Sequence, residues 1–372
     1  MTKKRQMIWR EIQKNVILNL DFGLMTVNET YMQRCLQLAR LGRGYVAPNP
    51  MVGCVVVAEG RIIGEGYHVR CGEGHAEVNA LASVSEADIA LLEKSTIYVS
   101  LEPCSHYGKT PPCADLIVAK RLKRVVVGCL DPFAKVQGRG IKKLQDAGID
   151  VTVGVLEKEC MALNKHFMTF HSKQRPFVTL KWAQSADGFI GAAEGEPRAM
   201  ISNNYTMALC HKRRTEHQAI MVGRRTAELD NPSLTVREWD GRTPLRVVLN
   251  RENKLPRTLR LFDGEAQTLV FTDTKSEVDD KAEYARIDFS ADVIGQVMKK
   301  LHSRNVQTLL VEGGRALLQS FIDAGCWDEA FVETSSVALG GGVSAPVLKN
   351  AERVSSKTCL GHEITEYSQK MP

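Results

Sequence analysis

His75-Ala76-Glu77, followed by Pro103-Cys104 and then Cys113, are the residues of this chain best suited to do chemistry. One imidazole and two thiolates make a three-ligand set for zinc and leave the fourth tetrahedral position to water, which the ion acidifies towards neutral pH. Glu77 need not bind the metal. Two residues from His75, its carboxylate can carry a proton from that water to a departing amine, so the set reads as the kit of a zinc-dependent hydrolytic deaminase. A purely structural zinc site would need a fourth protein ligand, for which His106 is the candidate. His68 and Cys71 are expected to line the pocket mouth or to pack.

Spacing narrows the choice. Nucleoside and nucleic-acid deaminases carry their cysteines in a tight P-C-x-x-C turn, whereas here Ser105-His106-Tyr107-Gly108-Lys109-Thr110-Pro111-Pro112 separates Cys104 from Cys113. Upstream stand Pro48-Asn49-Pro50-Met51-Val52-Gly53 and Gly64-Glu65-Gly66-Tyr67-His68; downstream, Asp131-Pro132 leads to Gly138-Arg139-Gly140. From roughly Asn28 to Asp150 the chain resembles the deaminase half of the bifunctional riboflavin-biosynthesis deaminase-reductases. The resemblance implies an N-terminal cytidine-deaminase-like three-layer α/β domain that uses Zn2+, with Asn49 reading the pyrimidine edge of the substrate. Phe133 and Ala134 depart from it, standing where an Asn-Pro is common.

The elements that must position these groups follow from periodicity. Glu29 to Leu41 has helical spacing, with Met32, Cys35, Leu36 and Ala39 on one face, Asn28 as N-cap and Gly42 as stop. Val52 to Ala58 reads as a buried strand and Arg61 to Gly66 as its hairpin partner. A helix over His75 to Ser83 puts His75 and Glu77 in its first turn, where amides and the helix dipole favour a carboxylate. Thr96 to Ser100 is a strand ending at the cysteine loop, Cys113 opens a helix over Ala114 to Ala119, and Val125 to Cys129 is the next strand. Such alternation predicts a parallel-rich sheet covered by helices, with the catalytic groups at helix N-termini.

Asn164 to Arg175 is polar, basic and short of strand signals, which sets a junction between a zinc deaminase domain over 26–170 and a second domain over 175–372, after an N-terminal extension over 1–25. Phe177 to Ala183 is a strand followed by Ser185-Ala186-Asp187-Gly188. Thr308 to Val311 is a buried strand running into Glu312-Gly313-Gly314, and Arg315 to Ala324 a helix whose first amides can hold a phosphate. A simple tight turn would read the same way. The G-x-G-x-x-G fingerprint is absent, so an ordinary dinucleotide-binding domain is not supported.

With Ala219 to Gly223 and the run Asp230 to Arg237, the second half from about Pro176 resembles the reductase of the same pathway, a relative of dihydrofolate reductase in fold. The resemblance implies NADPH at Gly314 and Arg315, contacted also by Gln184, Thr226 and Asp230. It further implies that Lys181 and Glu312 border the reacting sugar and that Arg214 and Arg237 hold the substrate, its phosphate above all; a guanidinium fork suits that group. Lys181 with Glu312 as a structural ion pair, and the arginines as solvated surface charges, are the competing readings. Met200 stands where the family commonly has tryptophan, and His217, Gln218, Arg224 and Arg225 are further departures.

A chain of 372 residues is long enough for two domains. Hydrophobic residues at 44% and charged residues at 25% are ordinary for a globular protein, with no membrane-spanning apolar run and no internal repeat. Lys and Arg total 49 against 43 Asp and Glu; the net charge of +6 suits phosphorylated small molecules, and the dense basic stripe of a nucleic-acid binder is missing. Ten scattered cysteines point to a reducing cytoplasm. Met1 to Leu24 does not read as a secretory signal, and Met25 fits a natural initiator with the preceding residues as an extension. The expected activity is deamination of a phosphorylated pyrimidine ribotide and then NADPH-dependent opening of its ribose to ribitol, by a homo-oligomer like related deaminases. A base deaminase acting on RNA or free nucleosides is disfavoured by the wide loop and the second domain, and a non-catalytic binding protein by the intact zinc motif.

Overall fold

The computed structural model describes residues 25–107, 111–133, 137–193, 195–196 and 199–370. Residues 1–24 of the N-terminal extension, the middle of the cysteine loop at Gly108 to Thr110, and Ala134 lie outside the described residues. Two compact units result: one takes in Met51–Asp131 with the described parts of Met1–Arg43 and Lys135–Leu163, the other Gly44–Pro50, Pro132–Ala134 and Asn164–Pro372 as far as they are described.

In chain order the first unit comprises α1 (Val27–Ala39), β1 (Gly53–Ala58), β2 (Arg61–Tyr67), α2 (Ala76–Ala82), β3 (Thr96–Leu101), α3 (Cys113–Ala119), β4 (Arg124–Cys129), α4 (Arg139–Asp146), β5 (Asp150–Val153) and α5 (Glu157–Leu163). The sheet order is β2-β1-β3-β4-β5. β1 pairs antiparallel with both neighbours, and β3, β4 and β5 run parallel. Every residue of β1 is buried, because helices cover both faces. Cys54, Val56, Ile97, Val99, Val125 and Val127 point to one side and pack with Ala76 and Ala80 of α2, Ala114 and Ile117 of α3 and Leu144 of α4; α1 and α5 close the other side. This is the helix-covered sheet predicted from the alternation of elements, in the three layers that the resemblance implied.

One boundary shifts for a local reason. Thr26, not Asn28, caps α1: its hydroxyl accepts from the Glu29 amide at 3.3 Å while its own amide donates to the Glu29 carboxylate at 2.7 Å, a reciprocal capping box. Asn28 instead accepts a hydrogen bond from the Tyr98 hydroxyl at 3.0 Å. Met32, Cys35, Leu36 and Ala39 are buried as the periodicity requires.

The second unit contains α6 (Lys165–Lys173), β6 (Phe177–Gln184), β7 (Phe189–Gly191), α7 (Asn204–Thr215), β8 (Ala219–Val222), α8 (Arg224–Asp230), β9 (Leu245–Leu249), β10 (Thr268–Thr272), β11 (Glu277–Val278), β12 (Glu283–Arg286), α9 (Val293–Ser303), β13 (Thr308–Gly313), α10 (Arg315–Asp323), β14 (Glu329–Thr334), β15 (Val343–Ser344), β16 (Ala351–Cys359) and β17 (His362–Gln369). A ten-stranded sheet has the order β11-β12-β10-β9-β8-β13-β6-β14-β17-β16, and β7 pairs with β15 separately. From β12 to β14 the neighbours are parallel; β11, β17 and β16 are antiparallel.

Alternation along β6 decides where chemistry can sit. Val178, Leu180 and Trp182 enter the main core with Val297 and Leu301 of α9 and Leu318 and Phe321 of α10. Thr179 and Lys181 therefore face the opposite side, beneath α7. The stretch read from its polarity as a junction is helical: α6 buries the run Phe167, Met168, Thr169 and Phe170, which the surrounding charges hide from a composition count.

Candidate functional site

His75 is the extended N-cap residue of α2 and Glu77 the second residue of that helix, so both leave the same turn. α2 lies directly on β2: a Cβ added at Gly66 would stand 2.2 Å from the Ala80 nitrogen and 2.6 Å from the Ala76 oxygen. Asn79 pins the preceding segment by donating to the Tyr67 and Gly74 carbonyls at 2.8 and 3.2 Å. β3 ends at Leu101 and delivers Cys104, while Cys113 opens α3. The Cys113 amide donates to the Cys104 sulfur at 3.3 Å and the Ala114 amide to the Cys104 carbonyl at 3.1 Å, which closes the wide loop upon itself.

His75 Nδ1 lies 3.5 Å from Cys104 Sγ and 3.3 Å from Cys113 Sγ. Bonds of about 2.1 Å to nitrogen and 2.3 Å to sulfur at a tetrahedral angle would separate these atoms by about 3.6 Å, so the donor set fits zinc in kind and in spacing. Only these three residues form such a cluster among the described residues; His106 is exposed and does not join it, and Cys71 is exposed as well. His68 is buried with its ring edge against His75, centroids 5.4 Å apart, and its Nδ1–H donates to the Gly74 carbonyl at 3.1 Å.

Glu77 is 3% exposed. Burial pushes its carboxyl up to about 7, and the negative charge of Cys104 adds to that, so it can hold or release a proton near neutral pH. The two sulfurs share a proton unequally: hydrogen bonding from the Cys113 thiol, helped by His75 and the Cys113 amide, holds Cys104 well below the usual thiol range, while the same bond and burial push Cys113 up. A divalent cation would displace that shared proton.

Sequence reasoning missed Glu102. Its buried carboxylate accepts from the amides of Asp131 at 3.3 Å, Gly138 at 3.0 Å, Gly140 at 2.9 Å and Ile141 at 3.5 Å, which ties the Pro103-Cys104 turn to the start of α4. The Glu-Pro-Cys order was visible; the amides it serves lie 29 to 39 residues away. Asn49 falls in the Gly44–Pro50 segment grouped with the second unit, where its amide donates to the Val46 carbonyl at 2.8 Å.

In the second unit, Glu312 from β13 accepts from Arg214 Nε at 2.9 Å and from its second terminal nitrogen at 2.8 Å, and from the Cys210 thiol at 3.2 Å. The remaining terminal nitrogen of Arg214 donates to the Thr235 carbonyl at 3.0 Å. Burial alone would raise Glu312, but the charge and hydrogen bonds of Arg214 outweigh it and hold the carboxyl at about 2. The ion-pair alternative for Lys181 and Glu312 therefore gives way: Glu312 belongs to Arg214, and Lys181 faces Glu333 at 3.9 Å. Arg237 hydrogen bonds to Ser233 and, at 3.4 Å, to Thr235, so the two arginines flank one segment.

Thr226 of α8 and Gly314 are brought together: a Cβ at Gly314 would be 2.9 Å from the Thr226 hydroxyl oxygen. Gly313 has φ +124° and is joined to Gly314 by a cis peptide; Gly314, itself extended, caps α10. Bare backbone before helical amides fits the approach of a cofactor phosphate. Arg315 is exposed on the first turn, Asp230 ends α8, and Gln184 ends β6, where its side chain accepts from Trp182 Nε1 at 2.9 Å. Met200 is 73% exposed.

His217 shows what one departure does. Its Nδ1–H donates to the Arg213 carbonyl at 2.7 Å and its Nε2 accepts from the Thr179 hydroxyl at 2.8 Å, so the neutral ring fills both roles. Burial pushes its pKa down from 6.5 to about 4. A histidine whose folded value is depressed stabilises the fold above its unfolded value, and the contribution is lost as pH falls from about 6.5 towards 4; the full shift is worth about 3 kcal/mol. Melting of the second unit followed across that window should fall with acid in the parent and fall less in His217→Gln. Parallel curves for the two proteins would remove His217 as the cause.

Two protein-family profiles match the chain: the cytidine and deoxycytidylate deaminase zinc-binding region over residues 25–129 and the RibD C-terminal domain over residues 176–369. The chain is 38% identical over 323 residues to the riboflavin biosynthesis protein RibD of Aquifex aeolicus, covering 86% of this chain and 89% of the relative. RibD of Bacillus amyloliquefaciens is 38% identical over 356 residues, covering 93% and 94%. The crystal structure of a diaminohydroxyphosphoribosylaminopyrimidine deaminase/5-amino-6-(5-phosphoribosylamino)uracil reductase from Thermotoga maritima aligns with a TM-score of 0.81 at 36% identity, over 92% of this chain and 99% of that one.

Proposed function

The chain belongs to the RibD family of riboflavin biosynthesis, a zinc-dependent deaminase joined to an NADPH-dependent reductase, and we propose the following division of work from that premise. The first unit deaminates 2,5-diamino-6-ribosylamino-4(3H)-pyrimidinone 5′-phosphate. The second reduces the ribosyl chain of the deaminated product, giving 5-amino-6-ribitylaminouracil phosphate. The observation that carries this reading is the cluster of His75, Cys104 and Cys113 with buried Glu77 beside it and outside the ligand set.

Zinc held by those three residues supplies an acidified water. Glu77, with a carboxyl poised at about 7, takes a proton from the attacking water and gives it to the departing amine. Asn49 reads the pyrimidine edge. In the second unit NADPH supplies the hydride; Gly314 and Arg315 receive the cofactor, with Gln184, Thr226 and Asp230 completing its contacts. Lys181 and Glu312 border the sugar. Arg237 takes the phosphate, while Arg214 orients Glu312 and the Thr235 segment that leads to Arg237.

The same reading has the chain act as a homo-oligomer in a reducing cytoplasm. All ten cysteines are unpaired, which supports the compartment. Among the described residues no helix is long and apolar enough to cross a membrane. The test is an assay with the diaminopyrimidine ribotide, zinc-loaded protein and NADPH. Ammonia release should proceed without NADPH, whereas NADPH oxidation should await the deaminated product. Ammonia from RNA or cytidine, with none from the ribotide, would overturn the assignment.

A further inference from the structure

We propose that Glu333 is a positioning residue of the reductase: anchored by Ser202 and His362, it sets the ammonium of Lys181 in the cavity beneath α7. The inference rests on the reading that Lys181 borders the reacting sugar.

The sheet builds the arrangement. Phe331 of β14 lies directly across from Lys181 of β6, and Glu333 stands two residues further along the same face of the strand. On the other flank of β14, Ile364 of β17 pairs with Glu333, and His362 is two residues before it. The Glu333 carboxylate is 4% exposed and held from two directions: His362 Nδ1 lies 2.8 Å from one oxygen, and the Ser202 hydroxyl donates to the other at 2.8 Å. The oxygen that accepts from Ser202 also faces Lys181 Nζ, 3.9 Å away. A buried carboxylate is costly to desolvate, so one fixed by two partners and turned towards a third group is a built feature of the fold.

Two other properties point to Lys181 as the group it serves. A separation of 3.9 Å is too long for a hydrogen bond, so Glu333 supplies counter-charge without consuming the ammonium's donors, which stay available to a hydroxyl in the cavity. That small recess, open to solvent, is lined by Lys181, Cys210, Arg213, Phe331 and Glu333 among others, and Glu333 is its one acidic member. Glu312 is committed to Arg214, and Arg213 stacks over the Phe331 ring 3.1 Å from its centroid. Without Glu333, two cations would line the cavity with no facing carboxylate.

A double-mutant cycle on the full chain tests this with Glu333→Gln, Lys181→Ala and both together. Glu333→Gln keeps size, removes the charge and leaves one acceptor oxygen in place of two. Reductase kcat/KM should fall about tenfold, while adding the same change to Lys181→Ala should cost nothing further, because interacting residues are non-additive. Unchanged deaminase turnover reports an intact first unit, and an unchanged melting transition of the second unit reports that the reductase is folded. Equal losses in both backgrounds would mean that Glu333 acts independently of Lys181 and would overturn the inference, as would a silent Glu333→Gln beside a damaged Lys181→Ala. A silent Lys181→Ala would instead sink the underlying assignment of Lys181. If Glu333→Gln does not fold, Ser202→Ala, which frees only one carboxylate oxygen, takes its place in the cycle, with a smaller loss of about threefold expected and the same coupling to Lys181 required.

Discussion

Glu77→Gln should abolish deamination while zinc stays bound and the reductase keeps its rate. Glutamine fills the same volume in the first turn of α2, and none of the three atoms that face the metal belongs to residue 77. What disappears is a buried carboxyl pushed up to about 7, a group beside the cluster able both to accept and to return a proton. General acid–base catalysis contributes about 10²–10⁴-fold, so a loss of about 10³-fold in kcat is expected. Stability should not suffer, since a neutral amide is cheaper to bury than a carboxylate. Elemental analysis, ammonia release, and NADPH oxidation with deaminated product supplied externally separate these effects. Ammonia release within about tenfold of the parent would remove Glu77 from the proton path.

Part of the metal kit was legible because it is local: His75 and Glu77 sit on one turn. The cysteines, 29 and 38 residues from His75, were joined to it by ligand type and motif, with a strand leading to Cys104 and a helix opening at Cys113, as the start of α3 bears out. Helix α6 was hidden by its charged exterior, and the α1 cap lay two residues upstream of the residue favoured by propensity alone. Long-range pairs that no ligand motif announces were not legible. Glu102 serves amides beyond residue 130, Arg214 reaches Glu312 across 98 positions, and His362 finds Glu333 only because β17 returns beside β14. Residue type told that these groups could bind something, and topology decided what.

Arg214 brings that distinction to a measurable point. Read from its type it is a phosphate ligand; in the fold its guanidinium makes two bonds to Glu312 and a third to the Thr235 carbonyl. Arg214→Ala should therefore destabilise the second unit by about 3–5 kcal/mol, because it strands a buried carboxylate. The acid limb gives an independent check. Glu312 is held at about 2 against an ordinary 4.5, so its contribution is complete above about pH 4.5 and is lost as pH falls towards 2; at neutral pH it amounts to about 3 kcal/mol. Arg214→Ala should remove that acid loss and turn it the other way, because burial then raises the Glu312 carboxyl; denaturant titrations at pH 7 and pH 3 would reveal it. A paired replacement, Arg214→Met with Glu312→Leu, should recover much of the stability yet leave no reductase activity, since burying two apolar side chains satisfies the fold but not the sugar. If Arg214→Ala instead weakens substrate binding with no loss of stability at either pH, the guanidinium is free to grip phosphate directly, and its bond to Glu312 is incidental.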